Sequence, residues 1–409
     1  MRAKRIVRSL IASFPPALLW IVASPPADSL AAAAPPAAAS RYEARFPGTS
    51  PEVAFDGAGR LHVAYAAEHA GATDQVLVRT LGPALSPPVA VTGRVALEAS
   101  GEVGPVIAAL PGNALVVVYA LTLPGGGWRS ELLAQRSADG GRTWQPPRRV
   151  HDDAQIASHS YAAVAVNRRG LPVVSWLDKR SGHQGVRAAV LDLGGPRPNR
   201  SVDDVTCECC RTAMLAAADG TLWSAYRDLA TGNVRNIAFA TSRDEGATFV
   251  RGGDVAADNW SLSGCPDSGP RLAQAGDGAV WATWFNGERK AIEVAAARRD
   301  RFGPAQVVAT ASGEVALVNH PEIGTFPDGR LVVFYEIAGA GRAVVMRVAD
   351  ATGGRWGAPV ELARDAARPR YARAGSRAVL AYSSHGGDAH TVVLVDGAEL
   401  VKRAAGGGR

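Results

Sequence analysis

Hydrophobic and polar positions along the chain alternate in short runs, and one pattern of runs recurs. Each copy starts with a small or polar residue, often Pro, passes through a β-rich run to a Gly near a turn, and ends a second β-rich run on an aromatic residue. Tyr65 follows Pro51 by 14 positions, and the same distance separates Pro105 from Tyr119, Pro270 from Trp284 and Pro321 from Tyr335. Such runs around a Gly turn predict β-hairpins, here with one fixed length.

The same distance counted back from Trp176 and Tyr226 gives Ala162 and Thr212, and Pro369 to Tyr382 fits one residue shorter. The chain therefore contains seven units, which begin near residues 51, 105, 162, 212, 270, 321 and 369, with a mean spacing close to 53. Repeats of this length made of strands and Gly turns are typical of propeller blades. The sequence predicts an all-β fold, a β-propeller of four-stranded antiparallel blades.

The second unit shows the strands within a predicted blade. An inner hairpin is predicted over Val106–Ala109 and Ala114–Ala120, and an outer one over Leu132–Arg136 and Gln145–Val150. No window has a long apolar period of 3.6, so we expect little helix. Two β-sandwiches are an alternative, but their strands would have no reason to share one hairpin length. Seven blades are predicted, and six are the alternative if a terminal unit completes another blade. Residues 40–48 could supply the strand that closes the ring.

The N-terminus predicts a secretory signal peptide over residues 1–34. A basic Arg2-Ala3-Lys4-Arg5 precedes an interrupted apolar run from Ile6 to Ala23, and small residues Ala31 to Ala34 suit a signal peptidase. The run is too short and too broken for a membrane span. We therefore expect a periplasmic or secreted, soluble, monomeric protein. The predicted organisation is a linker over residues 35–44, a single propeller domain over 45–403 and a disordered tail over 404–409.

Composition and charge narrow the function classes. Hydrophobic residues make up 47% of the chain and charged residues 20%, which is ordinary for a globular protein. The formal charge of +6 falls to +3 without residues 1–39, which carry Arg2, Lys4, Arg5 and Arg8 against Asp28. A charge this small and scattered argues against a nucleic-acid partner.

Two turns between predicted outer strands share the pattern Ser-x-Asp-x-Gly-x-Thr-aromatic, at Ser137–Trp144 and at Ser242–Phe249. The Asp carboxylate can accept backbone N–H bonds within the turn, and Gly adopts a backbone conformation that other residues resist. The pattern resembles the Asp-box, or BNR repeat, of the sialidase superfamily, and the architecture over residues 45–400 is similar to that family. The resemblance implies that Asp139 and Asp244 are structural and lie on the face away from the ligand.

The resemblance also implies a ligand site at one mouth of the central channel. The loops leading into the first strands ("leading loops") meet there with the loops that follow the second strands ("exit loops"). Leading loops of units three to six supply His159, Tyr161, Cys207, Cys209, Cys210, Arg211, Cys265, Asn319, His320 and Glu322. Exit loops supply Asp178, Lys179, Arg180, Arg227, Asp228, Asn286, Glu336 and His385.

A sialidase-type glycoside hydrolase, and hence a glycan or other small-molecule ligand, follows as the functional hypothesis. Such an enzyme holds a substrate carboxylate with arginines and uses a carboxylic acid and a Tyr nucleophile. On that scheme Arg180, Arg211 and Arg227 would hold the carboxylate. Asp178 or Asp228 would serve as acid/base, and Tyr226 or Tyr371 as nucleophile, with Glu336 or Glu322 as its base.

Four cysteines suggest a second hypothesis. Export favours disulfides, but each of the three possible pairings places a bridge inside Cys207–Cys210, where local rings depart from preferred geometry. One long bridge to Cys265 with two leftover thiols, or a thiolate cluster, remains. Sulfur ligands favour copper or zinc. A non-catalytic metal-binding propeller and a disulfide-stapled interaction scaffold are therefore the alternatives to an enzyme. The candidate metal ligands are Cys207, Cys209, Cys210, Cys265, His159 and His320.

Overall fold

A computed structural model describes residues 42–99, 101–125, 128–192, 195–196, 198–313, 315–339, 341–350, 353–386 and 389–406. The predicted signal peptide and most of the predicted linker lie outside these residues. The described residues from Tyr42 onward belong to one compact unit, which is built almost entirely of strands.

The strands form seven antiparallel sheets, which are the blades of a propeller. The first strand, β1 (Ala44–Pro47), belongs to the last blade. Blade one contains β2 (Thr49–Phe55), β3 (Leu61–His69), β4 (Ala72–Leu81) and β5 (Val89–Ala90). Blade two contains β6 (Val106–Leu110), β7 (Ala114–Thr122), β8 (Ser130–Ser137) and β9 (Arg148–Arg149), with a 3-10 turn at Pro111–Asn113. Blade three contains β10 (His159–Val166), β11 (Pro172–Asp178), β12 (Gly185–Asp192), β13 (Gly195–Pro196) and β14 (Arg200–Asp203).

The remaining blades repeat the same order. Blade four contains β15 (Ala213–Ala216), β16 (Leu222–Arg227), β17 (Ile237–Ser242) and β18 (Val250–Ala256). Blade five contains β19 (Arg271–Gln274), β20 (Val280–Asn286), β21 (Ala291–Arg298), β22 (Arg301–Phe302) and β23 (Gln306–Thr310). Blade six contains β24 (Val315–Thr325), β25 (Leu331–Gly339), β26 (Arg342–Val348) and β27 (Val360–Arg364). Blade seven contains β28 (Ala366–Ala374), β29 (Arg377–Gly386), β30 (Ala389–Asp396) and β1.

The ring closes through β1, which pairs antiparallel with β30 and places Phe46 opposite Val392. The last blade is thus built from the first and the last strand. Such closure leaves only short, protected sheet edges. The seven-bladed propeller and its closing strand within residues 40–48 are confirmed.

The aromatic residue that ends each predicted hairpin packs between blades. All seven are at most 4% exposed: Tyr65, Tyr119, Trp176, Tyr226, Trp284, Tyr335 and Tyr382. Trp176 of blade three, for example, packs against Val116 and Val118 of blade two. Burial of a large apolar side chain stabilises a fold by about 1.5–3 kcal/mol. The constant register of the sequence repeat is therefore a packing register, which holds each blade against its neighbour.

The two Asp-box turns join the third and fourth strands of blades two and four, at the end of each blade opposite the leading loops. Asp139 Oδ1 accepts hydrogen bonds from the backbone N–H of Arg142 and Thr143, both 3.0 Å, and Thr143 Oγ1 donates to Oδ2 at 2.7 Å. Asp244 and Thr248 repeat the arrangement in blade four. The pKa of Asp139 lies far below its ordinary value, mainly because Thr143 donates hydrogen bonds to its carboxylate. These turns are structural, as predicted.

A single α-helix, α1 (Gly397–Gly406), occurs among the described residues and follows β30. Its Leu400 is fully buried against blades six and seven, where it meets Phe326 and Val395. Part of the predicted tail thus belongs to this helix. None of the helices in the described ranges is long and apolar enough to cross a membrane.

Candidate functional site

The residue immediately before the start of each repeat unit lies in the first strand of its blade or just before it, at one mouth of the channel. We call these seven residues the mouth ring: Ser50, Gly104, Tyr161, Arg211, Gly269, His320 and Arg368. Four of them adopt left-handed backbone conformations, namely Ser50 (φ 50°), Tyr161 (58°), His320 (44°) and Arg368 (58°). A register shift interrupts strand pairing at each of the four. Left-handed backbone costs a non-glycine residue about 1–2 kcal/mol, and such strain clusters at functional sites.

A second set of charges lines the channel next to the mouth ring. The channel ring consists of Glu52, Arg271, Glu322 and Arg370, each two positions after a mouth-ring residue, and it occupies blades one, five, six and seven. Arg271 Nε lies 3.3 Å from Glu322 Oε2, and Arg370 Nε lies 3.5 Å from Glu52 Oε2. Arg211 reaches in from the mouth ring, with Nη2 2.5 Å from Glu52 Oε2. A cavity of about 180 Å³ borders this network.

Burial and the neighbouring charges together shift the pKa values of the channel-ring residues. Burial would raise the pKa of Glu52, but Arg211 and Arg370 outweigh it, and the pKa stays below its ordinary value. Burial prevails for Glu322, whose pKa is raised, and it lowers the pKa of Arg370 to about 9. Each of the three arginines here has a carboxylate partner, with Glu52 shared by two of them, so the network ties the blades together rather than leaving its cations free for a ligand.

Glu102 belongs to the leading loop of blade two and reaches blades four and five. Its Oε2 accepts hydrogen bonds from the backbone N–H of Arg211 at 2.9 Å and of Gly269 at 2.6 Å. Gly269 has no room for a side chain, since a Cβ there would lie 2.0 Å from the carbonyl oxygen of Arg211. The carboxylate is only 3% exposed. Glu102 therefore fixes three leading loops relative to one another.

The mouth ring carries a protonated imidazole in blade six. His320 Nε2 donates to the carbonyl oxygen of Asp267 at 2.8 Å, and Nδ1 lies 3.2 Å from Glu336 Oε1. Burial works against the imidazolium, but the Glu336 carboxylate prevails and raises the pKa of His320 to about 9. The same Glu336 oxygen accepts the backbone N–H of Arg368 at 2.7 Å. One carboxylate therefore positions both cationic residues of blades six and seven.

Arg368 differs from the arginines of the channel ring. Its Nη1 contacts the hydroxyl of Ser50 and lies 3.5 Å from that of Thr49. Within the described ranges, its guanidinium forms no ion pair. Burial lowers its pKa, against the opposing field of Glu336. The side chain is thus a cation at the mouth with hydroxyl partners only.

Tyr161 faces acidic groups across the mouth. It is 6% exposed, and its hydroxyl has no hydrogen-bond partner among the described residues. Burial, followed by the charge of Asp267, raises the pKa of Tyr161 well above its ordinary value. The Asp267 carboxyl in turn has a raised pKa because of burial and the nearby Glu102. The arrangement holds a neutral phenol beside a carboxyl that retains its proton more readily than usual.

Two of the predicted catalytic residues form a closed cluster in the exit loop of blade three. Asp178 is 2% exposed and accepts hydrogen bonds from Trp176 Nε1 and Arg180 Nε, both 2.8 Å. His159 Nδ1 lies 3.1 Å from Asp178 Oδ2, the oxygen that Trp176 also contacts, and Arg180 also donates to Asp152 at 2.6 Å. These partners hold the pKa of Asp178 far below its ordinary value, although burial opposes them. The cluster anchors the exit loop.

Three further predicted residues in blade four also have structural partners. The hydroxyl of Tyr226 donates to Asp203 at 2.8 Å, and Arg251 on the outer strand bonds Asp228 at 2.7 Å. Arg227 is fully buried, and its three nitrogens donate to the carbonyl oxygens of Ser268, Arg235 and Phe285. Of the nine residues in the predicted catalytic scheme, the structure brings Arg211 and Glu336 to the mouth and Glu322 to the channel ring, whereas Tyr371 donates its hydroxyl to the carbonyl oxygen of Thr325 at 3.0 Å.

The cysteines adopt the first of the two predicted arrangements. Cys209 and Cys265 form a disulfide, and Cys207 and Cys210 are free and buried. The bridge withdraws Cys209 and Cys265 from the predicted metal ligands. His159 pairs with Asp178, and His320 contacts Glu336 and the carbonyl oxygen of Asp267. Two thiols do not complete the four-ligand set that structural zinc takes.

Sequence reasoning missed several mouth residues, notably Glu102, Asp267 and Arg368. It also missed most of the channel ring. The constant spacing of the repeat units could have identified these residues. Reading one fixed position across all units, instead of searching for chemical motifs within loops, would have aligned Arg368 with His320 and Tyr161. The same reading aligns Glu52 with Arg271, Glu322 and Arg370.

Comparison with known proteins places this geometry in context. The chain resembles a protein of unknown function from Dyadobacter fermentans, with 14% identity over 74% of this chain and 97% of that chain and a TM-score of 0.51. It resembles a Hadza microbial sialidase, with 12% identity over 80% of this chain and 74% of that one and a TM-score of 0.51. It also resembles an ulvan lyase of a new polysaccharide lyase family, with 9% identity over 88% and 95% of the two chains and a TM-score of 0.56.

These likenesses show a shared fold. No curated protein matches the sequence. Residues 85–301, which include both Asp-boxes, match the family described as the BNR repeat-like domain. The chain belongs to this BNR repeat-like family.

Proposed function

We propose that the protein is a glycoside hydrolase of the sialidase type, which binds an acidic sugar at the mouth ring. One observation carries the proposal. Three blades carry at the same repeat position, each on left-handed backbone, a Tyr whose hydroxyl has no partner, an imidazolium, and an Arg that pairs with no carboxylate among the residues the structure describes. Strain of this kind persists only where the surrounding structure enforces it.

Recognition of a substrate carboxylate would fall to Arg368 and His320. Arg368 has hydroxyl partners only, so a carboxylate could bind its guanidinium without breaking an existing ion pair. His320 is paired with Glu336, which raises its pKa to about 9, so the charge of Glu336 is offset and does not repel an acidic ligand. Charge-assisted hydrogen bonds to carboxylates are roughly twice as strong as neutral ones. The positive charge of Arg368, held in a fixed position, would favour an acidic over a neutral sugar.

The chemical step would use Tyr161 and Asp267 in place of the Tyr226 and Asp228 expected from the sequence. Sialidases use a Tyr nucleophile, which departs from the usual two-carboxylate scheme. Glu98 and Glu102 lie near Tyr161 and could receive the phenol proton. The raised pKa of Asp267 suits a general acid that protonates the leaving group. Similarity to a structure named as a sialidase and to one named as an ulvan lyase supports a carbohydrate substrate.

The test is release of a fluorescent aglycone from a sialoside, with a glucuronide as a second acidic substrate and a glucoside as the neutral one. We expect release from an acidic glycoside only, and Tyr161→Phe and Asp267→Asn to lower kcat by about 10²-fold or more. Arg368→Gln should raise KM more than it lowers kcat. The matched control is Tyr382→Phe, which removes a hydroxyl from a buried blade-packing tyrosine.

The proposal fails if the folded wild-type protein cleaves neither acidic glycoside. It also fails if Tyr161→Phe retains the activity of Tyr382→Phe. Melting temperatures of the variants separate a lost reaction from a lost fold.

A further inference from the structure

Three sulfur atoms of blade four lie close together. Cys207 Sγ and Cys210 Sγ are 3.4 Å apart, and both lie within 4.8 Å of Cys209 Sγ. Cys209 is already bonded to Cys265, 56 positions along the chain. A free dithiol therefore lies within 4.8 Å of one sulfur of a disulfide, and such proximity favours thiol–disulfide exchange.

The two free thiols are electrostatically unequal. The pKa of Cys207 is lowered to about 6, mainly by its hydrogen bond with Cys210. The charges of Arg227 and Arg235 lower it further. Burial instead raises the pKa of Cys210. Arg227 donates only to backbone carbonyl oxygens and pairs with no carboxylate in the described part of the chain. A Cys207 thiolate would supply the missing negative charge beside it.

The disulfide is accessible from outside, whereas the dithiol is not. Cys207 and Cys210 are each 1% exposed, and Cys265 is exposed. A pocket of about 420 Å³ opens beside the bridge, and its walls include Glu208, Cys209, Leu229, Asn233, Arg235 and Cys265. A space of this size fits a small peptide thiol or disulfide rather than a folded partner.

We propose that the four cysteines form an exchange relay, in which the buried Cys207/Cys210 dithiol passes two electrons through the Cys209–Cys265 disulfide to a small disulfide in the adjoining pocket. The relay does not rest on the proposed glycosidase activity.

The internal transfer needs no external oxidant. The Cys207 thiolate attacks Cys209 Sγ, so that the Cys207–Cys209 bond forms, the Cys209–Cys265 bond breaks and Cys265 leaves as a thiolate. Cys210 then gives its proton to the released thiolate and attacks Cys207 Sγ. The Cys207–Cys210 bond forms, and Cys209 leaves as a thiolate. Cys207 and Cys210 are oxidised, and Cys209 and Cys265 are reduced by the same two electrons.

The external transfer regenerates the outer bridge. The Cys265 thiol gives its proton to solvent, attacks one sulfur of the small disulfide and releases the first thiolate, which takes up a proton. Cys209 then attacks Cys265 Sγ in the mixed disulfide, restores the Cys209–Cys265 bond and releases the second thiol. A dithiol reductant that exchanges in the reverse direction would return Cys207 and Cys210 to the reduced form.

Two variants that change a buried cysteine in the same way distinguish the steps. In Cys210→Ser, Cys207 can still attack but cannot be resolved, so Cys265 is released and reacts irreversibly with a maleimide. In Cys207→Ser the attacking thiol is absent and the outer bridge persists. We expect Cys265 labelling at least about tenfold faster in Cys210→Ser, measured by peptide mass mapping at neutral pH. Melting temperatures establish that both variants are folded.

The wild-type protein provides a second, independent measurement. With Cys207 and Cys210 reduced, excess oxidised glutathione should yield two glutathione thiols per chain and a Cys207–Cys210 disulfide. The relay is excluded if the glutathione yield is zero, or if Cys265 is labelled equally slowly in both variants. It is likewise excluded if the purified protein holds copper or zinc on the two thiols and does not exchange.

Discussion

Arg211 Nη2 and Glu52 Oε2 lie 2.5 Å apart at the channel, although 159 positions separate the two residues in the sequence. The pair joins the leading loop of blade four to the first strand of blade one. Arg370 approaches the same carboxylate oxygen to 3.5 Å. Glu52 therefore compensates two buried cations, and the ring is held across its centre as well as around its circumference.

Loss of this carboxylate should destabilise the propeller. Glu52→Gln leaves two buried guanidiniums without their shared counter-ion, so we expect the free energy of unfolding to fall by about 3–5 kcal/mol in urea titration. Asp300→Asn is the control, because it removes the exposed partner of Arg243 and should change stability by less than about 1 kcal/mol. Equal effects of the two substitutions would show that Glu52 does not compensate buried charge.

Gly269 should tolerate no side chain. A Cβ at this position would lie 2.0 Å from the Arg211 carbonyl oxygen, and the neighbouring backbone would have to move. We expect Gly269→Ala to cost about 1–3 kcal/mol or more in urea titration, because strain is forced on the Glu102 anchor. Gly276→Ala is matched to it, since nothing lies within 4 Å of its added Cβ. Similar stabilities of the two variants would contradict the close approach.

The His320 imidazolium should make stability fall in mildly alkaline solution. Its pKa rises from 6.5 to about 9 in the fold, where Glu336, Asp267, Glu102 and Arg368 face it. A raised folded-state pKa adds stability below the unfolded value, and this stability is lost as the pH passes 6.5 and approaches 9. Urea titrations should show the decline in the wild type and a weaker one in His320→Gln. His385→Gln changes a histidine of an exit loop and should keep the full decline. An equally weakened decline in His385→Gln would refute the assignment to His320.

Asp258 should destabilise the protein at neutral and alkaline pH. Burial raises its pKa from 3.8 to about 7, and its Oδ2 accepts a hydrogen bond from Trp284 Nε1 at 2.8 Å. Because the unfolded chain ionises first, stability falls between these two pH values and remains lower above them. Asp258→Asn should raise the free energy of unfolding on the order of 2 kcal/mol at pH values above about 8 and leave it unchanged near about pH 4. Asp277→Asn, at an exposed carboxylate, should have no such effect, and a matching gain there would refute the burial argument.

The Asp-boxes should matter for folding and not for the mouth. Asp139→Ala removes a carboxylate that binds two backbone N–H groups and one hydroxyl in its turn. We expect a melting temperature lower by several degrees, with unchanged hydrolysis of an acidic glycoside once the protein is folded. Asp244→Ala tests the equivalent turn in blade four and should behave alike. A selective loss of hydrolysis in either variant would contradict a purely structural role.

The constant spacing of the repeat units was enough to predict most of the fold. Pro51 and Tyr65, and their counterparts in six further units, are spaced by local strand geometry, which is written directly in the sequence. Residues with purely local partners were equally predictable, as Asp139 and Asp244 show. The site residues were harder to predict. Arg227 was predicted in an exit loop but ends strand β16 with buried carbonyl partners, and the hydroxyl of Tyr226, a predicted nucleophile, is held by Asp203.

The sequence by itself thus predicted seven blades with six as the alternative, the hairpin register and the structural Asp-boxes, and it left the cysteines either one long bridge or a thiolate cluster. Tertiary structure alone decided which residues meet at the mouth. The reason is that a register shift at Tyr161, His320 and Arg368 changes where each side chain points, and ring closure then brings blade seven beside blade one. Neither effect leaves a local pattern, because each depends on contacts between segments far apart in the chain.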